Sequence, residues 1–335
     1  MKKVSFVLAL LGVVLGTILV AAFGFHRVID SLLSVGVAGF AVVVLWQFLL
    51  FVPLGLGWEV LARALGVRRA WLFIWGRMVR DCSTNLLPFS QLGGFLFGAR
   101  AVMLHGLAWP EATATTVVDL TAEFIAEVVF AAIGLVILLV RDPNTDMRVP
   151  LEIGIGLAVV AATGFIWLQR GASGLFAGLS SRIAARQLSG ARKTMSVLRE
   201  RMNTIYEHRG YLALGFFWHL AGWIATGVGG WIAFRLLGAR LDVAAGIAIE
   251  SLVAAIAAVT FLVPVGAGVQ EAGYTALGAL FGVPPQLSLA VSLLRRSRDV
   301  VVGVPVLLIW QTLEAKRLRP SVVSGQASVG RDSDQ

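Results

Sequence analysis

The sequence has little of the charge that a soluble domain of its length needs, since only 14% of its 335 residues are charged. An average soluble domain is about 25% charged. Hydrophobic residues make up 58% of the chain, and the mean hydropathy is +0.84. No stretch shows the apolar–polar alternation of a membrane β-strand. The composition therefore predicts an all-α, polytopic membrane helix bundle.

Side chains that could form a disulfide or a metal site are also scarce. Cys82 is the only cysteine, which excludes an internal disulfide and any site with several cysteine ligands. The sequence lacks a P-loop, a serine nucleophile elbow and a histidine–cysteine metal pattern. We therefore expect no metal and no cofactor, and we expect His219 to be a packed polar residue.

Runs of about 20 apolar residues predict membrane-spanning segments. These segments are 4–25, 35–58, 71–87, 112–140, 151–168, 211–234, 243–263 and 288–310. The first run could also be a signal peptide, because Lys2 and Lys3 precede it. Its apolar core is longer than the roughly 7–15 residues of a signal sequence, so we expect an uncleaved span.

Lysine and arginine residues indicate the orientation of these spans. They cluster before the first span, after the second, after the fifth and after the last, and all four regions can be cytoplasmic together. Segments 71–111 and 243–287 must then each enter and leave the membrane on one face, the first from the cytoplasm and the second from outside. The net charge of +9 reflects this bias, and no nucleic-acid partner is expected.

Both of these segments contain a proline followed by glycines, in "NLLPFSQLGGF" and "FLVPVGAGVQEAG". Pro88 and Pro264 lack a backbone donor, and the glycines loosen the helix. Non-helical backbone is tolerated at membrane depth only where protein or a watery cavity surrounds it. We therefore predict two re-entrant, broken helices that line a cavity. A short external loop is the alternative for the second segment.

The two segments align with each other at an offset of 176 residues, which places Pro88 on Pro264 and Gly106 on Gly282. Because the sidedness gives the copies opposite orientations, the alignment predicts an inverted repeat of the transporter type.

The chain is expected to form one integral membrane domain with a basic amphipathic connector and a disordered tail. The domain is 1–318, its repeat-like halves are 71–140 and 243–313, the cytoplasmic connector is 170–210 and the tail is 319–335. The connector could lie on an anionic leaflet, or it could simply link two spans.

Charges inside the spans are the strongest functional signal, because each acid at mid-bilayer costs about 2.5–3.5 kcal/mol. Asp119, Glu123 and Glu127 share one helix face. The repeat alignment places Arg295 on Asp119. We therefore predict that the bases of "RRSRD" (295–299) pair with Asp119 and Glu123 at the repeat interface; a surface position for "RRSRD" is the alternative.

The predicted substrate-binding and translocation residues lie in or beside the broken spans. They are Arg77, Asn85, Pro88, Gln91, Arg100, Asp119, Glu123, Glu250, Pro264, Gln270, Glu271, Arg295, Arg298 and Asp299. Arg77 and Arg80 could instead reach the membrane interface, and Glu250 could hydrogen-bond a neighbouring helix. The positive ends of half-helices beside arginines favour an anionic or polar head group, with apolar walls for its tail.

The motifs "NLLPFSQLGGF", "VPVGAGVQEAG" and "LLRRSRDVVVGVPVLLIW" resemble the lysylphosphatidylglycerol synthase transmembrane-region family, also described as flippase-like. "DCSTNLLPFSQLGGFLFGARA" is similar to the hopanoid-biosynthesis-associated subgroup of the HpnL type. The resemblance covers 1–318. The chain departs from the family pattern at Gly94, where an acid is common, and at Gln270, where arginine is common. We expect no soluble synthase domain.

This resemblance implies a bacterial inner-membrane protein, with both termini in the cytoplasm, that moves lipids between leaflets or serves a lipid pathway. Its expected partners are membrane lipids, either hopanoids or anionic phospholipids, together with lipid-biosynthesis enzymes; an oligomer is possible. Transport without an ATP motif is driven by an ion gradient or is passive scrambling. Two alternatives remain, a membrane enzyme that uses Asp119 and Glu123 as acid and base, and a non-transporting scaffold.

Overall fold

The computed structural model describes residues 25–87, 90–142, 189–259 and 269–318, with isolated positions between 149 and 164. These parts of the chain form nine α-helices and contain no β-strand. The helices are α1 Phe25–Ala62, α2 Ala70–Leu86, α3 Ser90–Leu104, α4 Trp109–Arg141, α5 Ser189–Glu207, α6 Arg209–Leu236, α7 Val243–Val259, α8 Val269–Leu280 and α9 Pro285–Leu318. The structure therefore confirms an all-α bundle.

Three helical segments are long and apolar enough to cross a membrane, and each overlaps a predicted span. They are Leu33–Leu65, Trp109–Arg141 and Arg209–Leu236. Residues 4–24 of the first predicted span, most of the predicted span 151–168, Pro88, Pro264 and the tail lie outside the described residues.

Two helix ends differ from the prediction. α1 already begins at Phe25, where we expected a loop at 26–34, and it is interrupted at Gly36, whose φ of 74° and ψ of 163° are not helical. α9 continues to Leu318, although the predicted span ended at 310. Its polar last turns stay helical because they pack against α3, where Arg317 donates to the Met103 carbonyl at 3.2 Å.

Helices α1 and α6 pack against each other in antiparallel directions. Leu61, near the end of α1, faces Gly215 near the start of α6. Farther back along α1, Trp46 Nε1 donates to the Ala225 carbonyl at 2.9 Å. Earlier residues of α1 thus contact later residues of α6, so the two helices run in opposite directions.

Helices α2 and α3 form the first helical hairpin. A Cβ at Gly98 of α3 would lie 2.8 Å from Arg80 Cβ of α2, so the two backbones approach closely. At the open end, Arg69 Nη1 donates to the His105 carbonyl at 3.3 Å. α2 has 17 residues, which rise about 26 Å, close to the ~30 Å of the hydrocarbon core. Both open ends of the hairpin therefore lie on the same side of the bundle, and its entry into the membrane from that side, predicted for 71–111, stays a prediction.

Helices α7 and α8 form the second hairpin. The Tyr274 hydroxyl of α8 donates to Glu250 Oε1 of α7 at 2.6 Å. At the open end, Asp242 pairs with Arg141, the last residue of α4. The Arg141 guanidinium also lies 5.7 Å from the ring centroid of Phe281, which follows α8. The second hairpin therefore opens where α4 ends.

Asp242 also caps α7. Its Oδ1 accepts the backbone N–H of Ala245 at 2.8 Å. This hydrogen bond, with that from Arg141, lowers the pKa of the Asp242 carboxyl. The lowered folded pKa means that the cap contributes stability above the unfolded value of about 3.9, and this stability is lost as the pH falls through the folded pKa.

The two hairpins open on opposite faces of the bundle. The face where α1 and α9 end, and where the first hairpin opens, is called the basic face. Its cationic side chains are Arg63, Arg68, Arg69, Arg199, Arg201, Arg209, Lys316 and Arg317. α4 begins on this face and ends at the second hairpin, on the opposite face.

The helix contacts repeat between α1–α4 and α6–α9. Exchanging the two sets turns five contacts of the first into contacts of the second: α1·α2 into α6·α7, α2·α3 into α7·α8, α3·α4 into α8·α9, α1·α9 into α6·α4, and α2·α9 into α7·α4. Glycines with positive φ follow equivalent helices at Gly66 and Gly238 (77° and 87°) and at Gly106 and Gly282 (98° and 73°). Each half thus includes one helix before its hairpin.

Helix α5 is the described part of the predicted connector. Its apolar side chains Leu198, Met202 and Ile205 pack against Leu61 of α1 and Val118 of α4, whereas Met195 is exposed. Arg201 adds an ion pair to Glu111 at 3.1 Å. The basic, amphipathic sequence of this helix is therefore explained by docking onto the bundle at the basic face.

Candidate functional site

The first charged cluster lies between α2 and α4. Arg77 and Arg80 are three residues apart on α2, and Asp119 and Glu123 are four apart on α4, so each pair shares a helix face. Arg80 Nη1 donates to Asp119 Oδ2 at 2.6 Å, and its Nη2 donates to Glu123 Oε2. Arg77 Nη2 donates to Glu123 Oε1 at 2.5 Å, and its Nε to Asp81 Oδ2 at 2.7 Å.

These groups are removed from solvent. The exposed fractions are 5% for Arg77, 4% for Arg80, 0% for Asp119 and 7% for Glu123. The Arg80 guanidinium also lies 4.3 Å from the ring centroid of Phe95 on α3. Buried charges persist only when they are paired and hydrogen-bonded. The cluster therefore links the first hairpin to α4. Removing any one member would leave another charge buried and unpaired, which destabilises the folded state.

His219 extends this cluster into the second half of the molecule. Its Nε2 lies 2.8 Å from Asp119 Oδ1, and its exposed fraction is 0%. Asp119 thus accepts from Arg80 through one oxygen and from His219 through the other. The contact connects α4 of the first half with α6 of the second.

The second charged cluster lies among α7, α8 and α9. Arg295 Nη1 donates to Oε2 of Glu250, and the other carboxylate oxygen of Glu250, Oε1, accepts from the Tyr274 hydroxyl. One turn of α8 away, Arg296 Nη2 donates to Glu271 Oε2 at 2.9 Å. Glu250 lies on the first helix of its hairpin and Arg295 on the helix that follows the hairpin, whereas in the first cluster Arg80 lies on the first helix of the hairpin and Asp119 on the helix that follows it.

A further ion pair lies where α9 meets α2. Arg298 Nη2 donates to Asp299 Oδ1 at 2.7 Å. Cys82 of α2 is buried among apolar side chains of α1, α3 and α9.

The family profile described as the lysylphosphatidylglycerol synthase TM region matches residues 5–306. The chain belongs to this family. No curated protein and no solved structure matches the chain. As a member of the lysylphosphatidylglycerol synthase TM region family, the protein is a multi-pass membrane protein with a lipid-related function, and both charged clusters lie within the matched residues.

For this family member, the predicted pairing across the repeat is wrong. Arg295 binds Glu250 and not Asp119, and the arginines that bind Asp119 and Glu123 come from α2. The physical reason is the repeat itself. The alignment reports which positions are equivalent, but equivalent helices need not touch: Asp119 of α4 pairs with α2, whereas Arg295 of α9 pairs with α7.

The remaining predicted residues are divided between the two clusters and other places. Gln270 lies one turn before Tyr274 on α8, and Asn85 is exposed at the tip of the first hairpin. Arg100 lies toward the basic face, where its Nη2 donates to Glu314 Oε1 at 2.7 Å. Gln91 belongs to α3, but its side chain is outside the described residues, as are Pro88 and Pro264.

Two central residues were absent from the predicted translocation set. Arg80 carries a signal in its spacing from Arg77, because two arginines on one face of an apolar helix require acids nearby. Tyr274 follows the second break within "VQEAGYTALG" and carries no comparable signal. Among the described residues, no group of three histidine, cysteine, aspartate or glutamate side chains could hold a metal ion.

Proposed function

We propose that this protein moves lipids between the two leaflets of a membrane. The observation that carries the proposal is the pair of helical hairpins that open on opposite faces, each with a buried charged cluster beside it. Transporters with inverted repeats place broken helices and intramembrane charges at the interface of their repeats. Two halves that face opposite ways offer equivalent routes from either leaflet.

The proposed cargo is a lipid with a polar head group, and within that class a hopanoid derivative. The support for a polar head group is the set of buried charged side chains within an apolar bundle. The hopanoid class rests on the resemblance of "DCSTNLLPFSQLGGFLFGARA" to the hopanoid-associated subgroup. Lipid-biosynthesis enzymes that supply such a lipid are the proposed protein partners.

The proposed location is the bacterial inner membrane, with both termini in the cytoplasm. Its support is the concentration of arginine and lysine on the basic face, since cytoplasmic loops carry an excess of these residues. We also propose that the protein acts without catalysis, because arginines already bind the carboxylates of Asp119 and Glu123, which would serve as acid and base.

Purified protein in proteoliposomes tests the proposal with head-group-labelled phospholipid and hopanoid analogues. A membrane-impermeant quencher measures how fast labelled lipid leaves the inner leaflet. We expect faster exchange than in protein-free vesicles, with a preference for the hopanoid analogue. Rates equal to those of protein-free vesicles for every lipid would refute transport, and mass spectrometry of the same lipids would reveal any head-group chemistry.

The matched variants are Arg296→Gln, in the second cluster, and Arg68→Ala, exposed at the basic face. The first removes the ion pair with Glu271 and keeps a polar side chain, whereas the second removes a charge from the surface. We expect exchange to slow in the first variant and to stay at the wild-type rate in the second. Equal exchange rates in the two variants would show that lipid movement does not require the Arg296–Glu271 ion pair of the second cluster.

A further inference from the structure

The central part of α6 contains one ionisable side chain, that of His219. Between Leu212 and Phe234, His219 is the only residue of α6 with a titratable side chain. Its exposed fraction is 0%. Because a buried polar ring is costly unless it is hydrogen-bonded, this position requires a partner on another helix.

The partner leaves one ring nitrogen with an unused lone pair. Nε2 lies 2.8 Å from Asp119 Oδ1, and a carboxylate only accepts, so Nε2 carries the hydrogen of that bond. Nδ1 is buried and has no hydrogen-bond partner in the described structure. His219 therefore presents a buried nitrogen that can take up a proton, while its other nitrogen stays bonded to Asp119.

The ring lies at the crossing of three helices. A Cβ at Gly57 of α1 would lie 2.9 Å from His219 Nε2, so glycine at this position makes room for the imidazole. α1 and α4 belong to the first half of the repeat, and α6 belongs to the second. The His219–Asp119 hydrogen bond thus joins the two halves inside the bundle.

The charged groups that face His219 come from α2 and α4. On α1, the residue beside the ring is Gly57. The nearest acid of α1, Glu59, is bonded to Arg63, and Glu127 lies one turn of α4 beyond Glu123. The groups of the network are Arg77, Arg80, Asp81, Asp119 and Glu123. Two guanidinium groups against three carboxylates leave a formal excess of one negative charge, which a single proton on His219 balances.

We propose that His219 and Asp119 form a proton-binding site at the joint between the halves, and that lipid movement is coupled to its occupancy. The coupling rests on the proposed transport function; the proton site does not. A proton added to Nδ1 converts the imidazole to imidazolium, and no other bond forms or breaks. The imidazolium donates to Asp119 as an ion pair and holds the halves together, and its release as neutral imidazole weakens the joint.

The proton site is tested first, without any transport assay. The chain has four histidines. Full-length protein carrying His26→Gln, His105→Gln and His208→Gln is labelled with ¹⁵N-histidine and reconstituted in nanodiscs. We expect the ring ¹⁵N signals of His219 to move between the neutral and doubly protonated values as the pH changes from 8 to 5. Signals that stay constant across this range would overturn the proposal.

Coupling is tested with His219→Gln in the proteoliposome exchange assay. Glutamine keeps an N–H donor for Asp119 but cannot take up a proton. We expect the wild-type rate to depend on pH, changing about tenfold per pH unit on one side of a single-proton titration. The rate of His219→Gln should be independent of pH, and His105→Gln, at the basic face, should keep the wild-type profile. An unchanged pH profile in His219→Gln would overturn the coupling.

The two assays separate this inference from the proposed function. A wild-type protein that moves no lipid, with a His219 that titrates, would refute transport and coupling and keep the proton site. A protein that moves lipid with a His219 that does not titrate would refute the proton site and keep the transport function.

Discussion

Arg80 is the side chain on which the first cluster depends most. It is bonded to both Asp119 and Glu123, and it lies over the Phe95 ring. Breaking a buried ion pair by removing one partner typically costs about 3–5 kcal/mol, because the other charge stays buried and unpaired. Replacing all members of such a network with uncharged groups can leave the free energy of unfolding nearly unchanged.

We therefore predict that Arg80→Ala lowers the free energy of unfolding by about 3–5 kcal/mol, measured by denaturant titration in mixed micelles. Arg68→Ala, at the exposed basic face, should change it by less than about 0.5 kcal/mol. The triple variant Arg80→Met, Asp119→Asn, Glu123→Gln should recover most of the loss. An Arg80→Ala protein as stable as Arg68→Ala would contradict the buried network.

The sequence predicted which residues carry buried charge better than it predicted their partners. Asp119 and Glu123 were expected to share a face and to need cations, and the structure confirms both. Their partners were misassigned because the alignment of two copies reports which positions are equivalent, whereas contact depends on which helices pack together. His219 was undervalued because a single residue has no pattern; its only signal is the cost of an imidazole in an apolar helix.

Among the helices, the first hairpin is held together by glycines that let two backbones approach. A Cβ at Gly94 would overlap the Thr84 side chain and would lie 2.8 Å from the Arg80 carbonyl oxygen. At the neighbouring Gly93, the nearest atom to an added Cβ is Phe97 Cε2, at 3.8 Å. Both residues are glycines within α3, but Gly94 is tightly packed against α2, whereas Gly93 has room for a methyl group.

We predict that Gly94→Ala destabilises the protein by about 1–3 kcal/mol, the usual range for overpacking. Gly93→Ala should be neutral or should stabilise by up to about 1 kcal/mol, because alanine favours the helix. Thermal unfolding in detergent, followed by circular dichroism, measures both. If the two variants melt at the same temperature, α2 and α3 are not in close contact at this position.

Helix positions were predictable because each break combines a proline, several glycines and a change in the sidedness of charge. The extra length of α9 was not, since its last turns, around Glu314 and Arg317, are polar and stay helical through contacts with α3. The docking of α5 was missed for a related reason. An amphipathic helix shows that it has an apolar side, but its sequence does not show whether protein or lipid covers that side.

In the whole molecule, the two hairpins open on opposite faces, and the basic face is proposed to be cytoplasmic. We predict that single cysteines, introduced in a Cys82→Ala background, divide by face. Arg240→Cys and Asp142→Cys should react with an impermeant maleimide applied to intact spheroplasts. Arg69→Cys and Lys316→Cys should react only after permeabilisation. Labelling of Arg69→Cys and Arg240→Cys from the same side would contradict this arrangement.

The contact of α2 with α9 also has a consequence for biosynthesis. α2 leaves the ribosome before α9, which comes much later in the chain, so the first hairpin is in the bilayer before the helix that covers it has been made. A nascent chain stopped before α9 would leave a side of α2 open to the surrounding lipid. Membrane proteases that recognise unfinished proteins should therefore remove such truncated chains rapidly, even though most of their helices are already inserted.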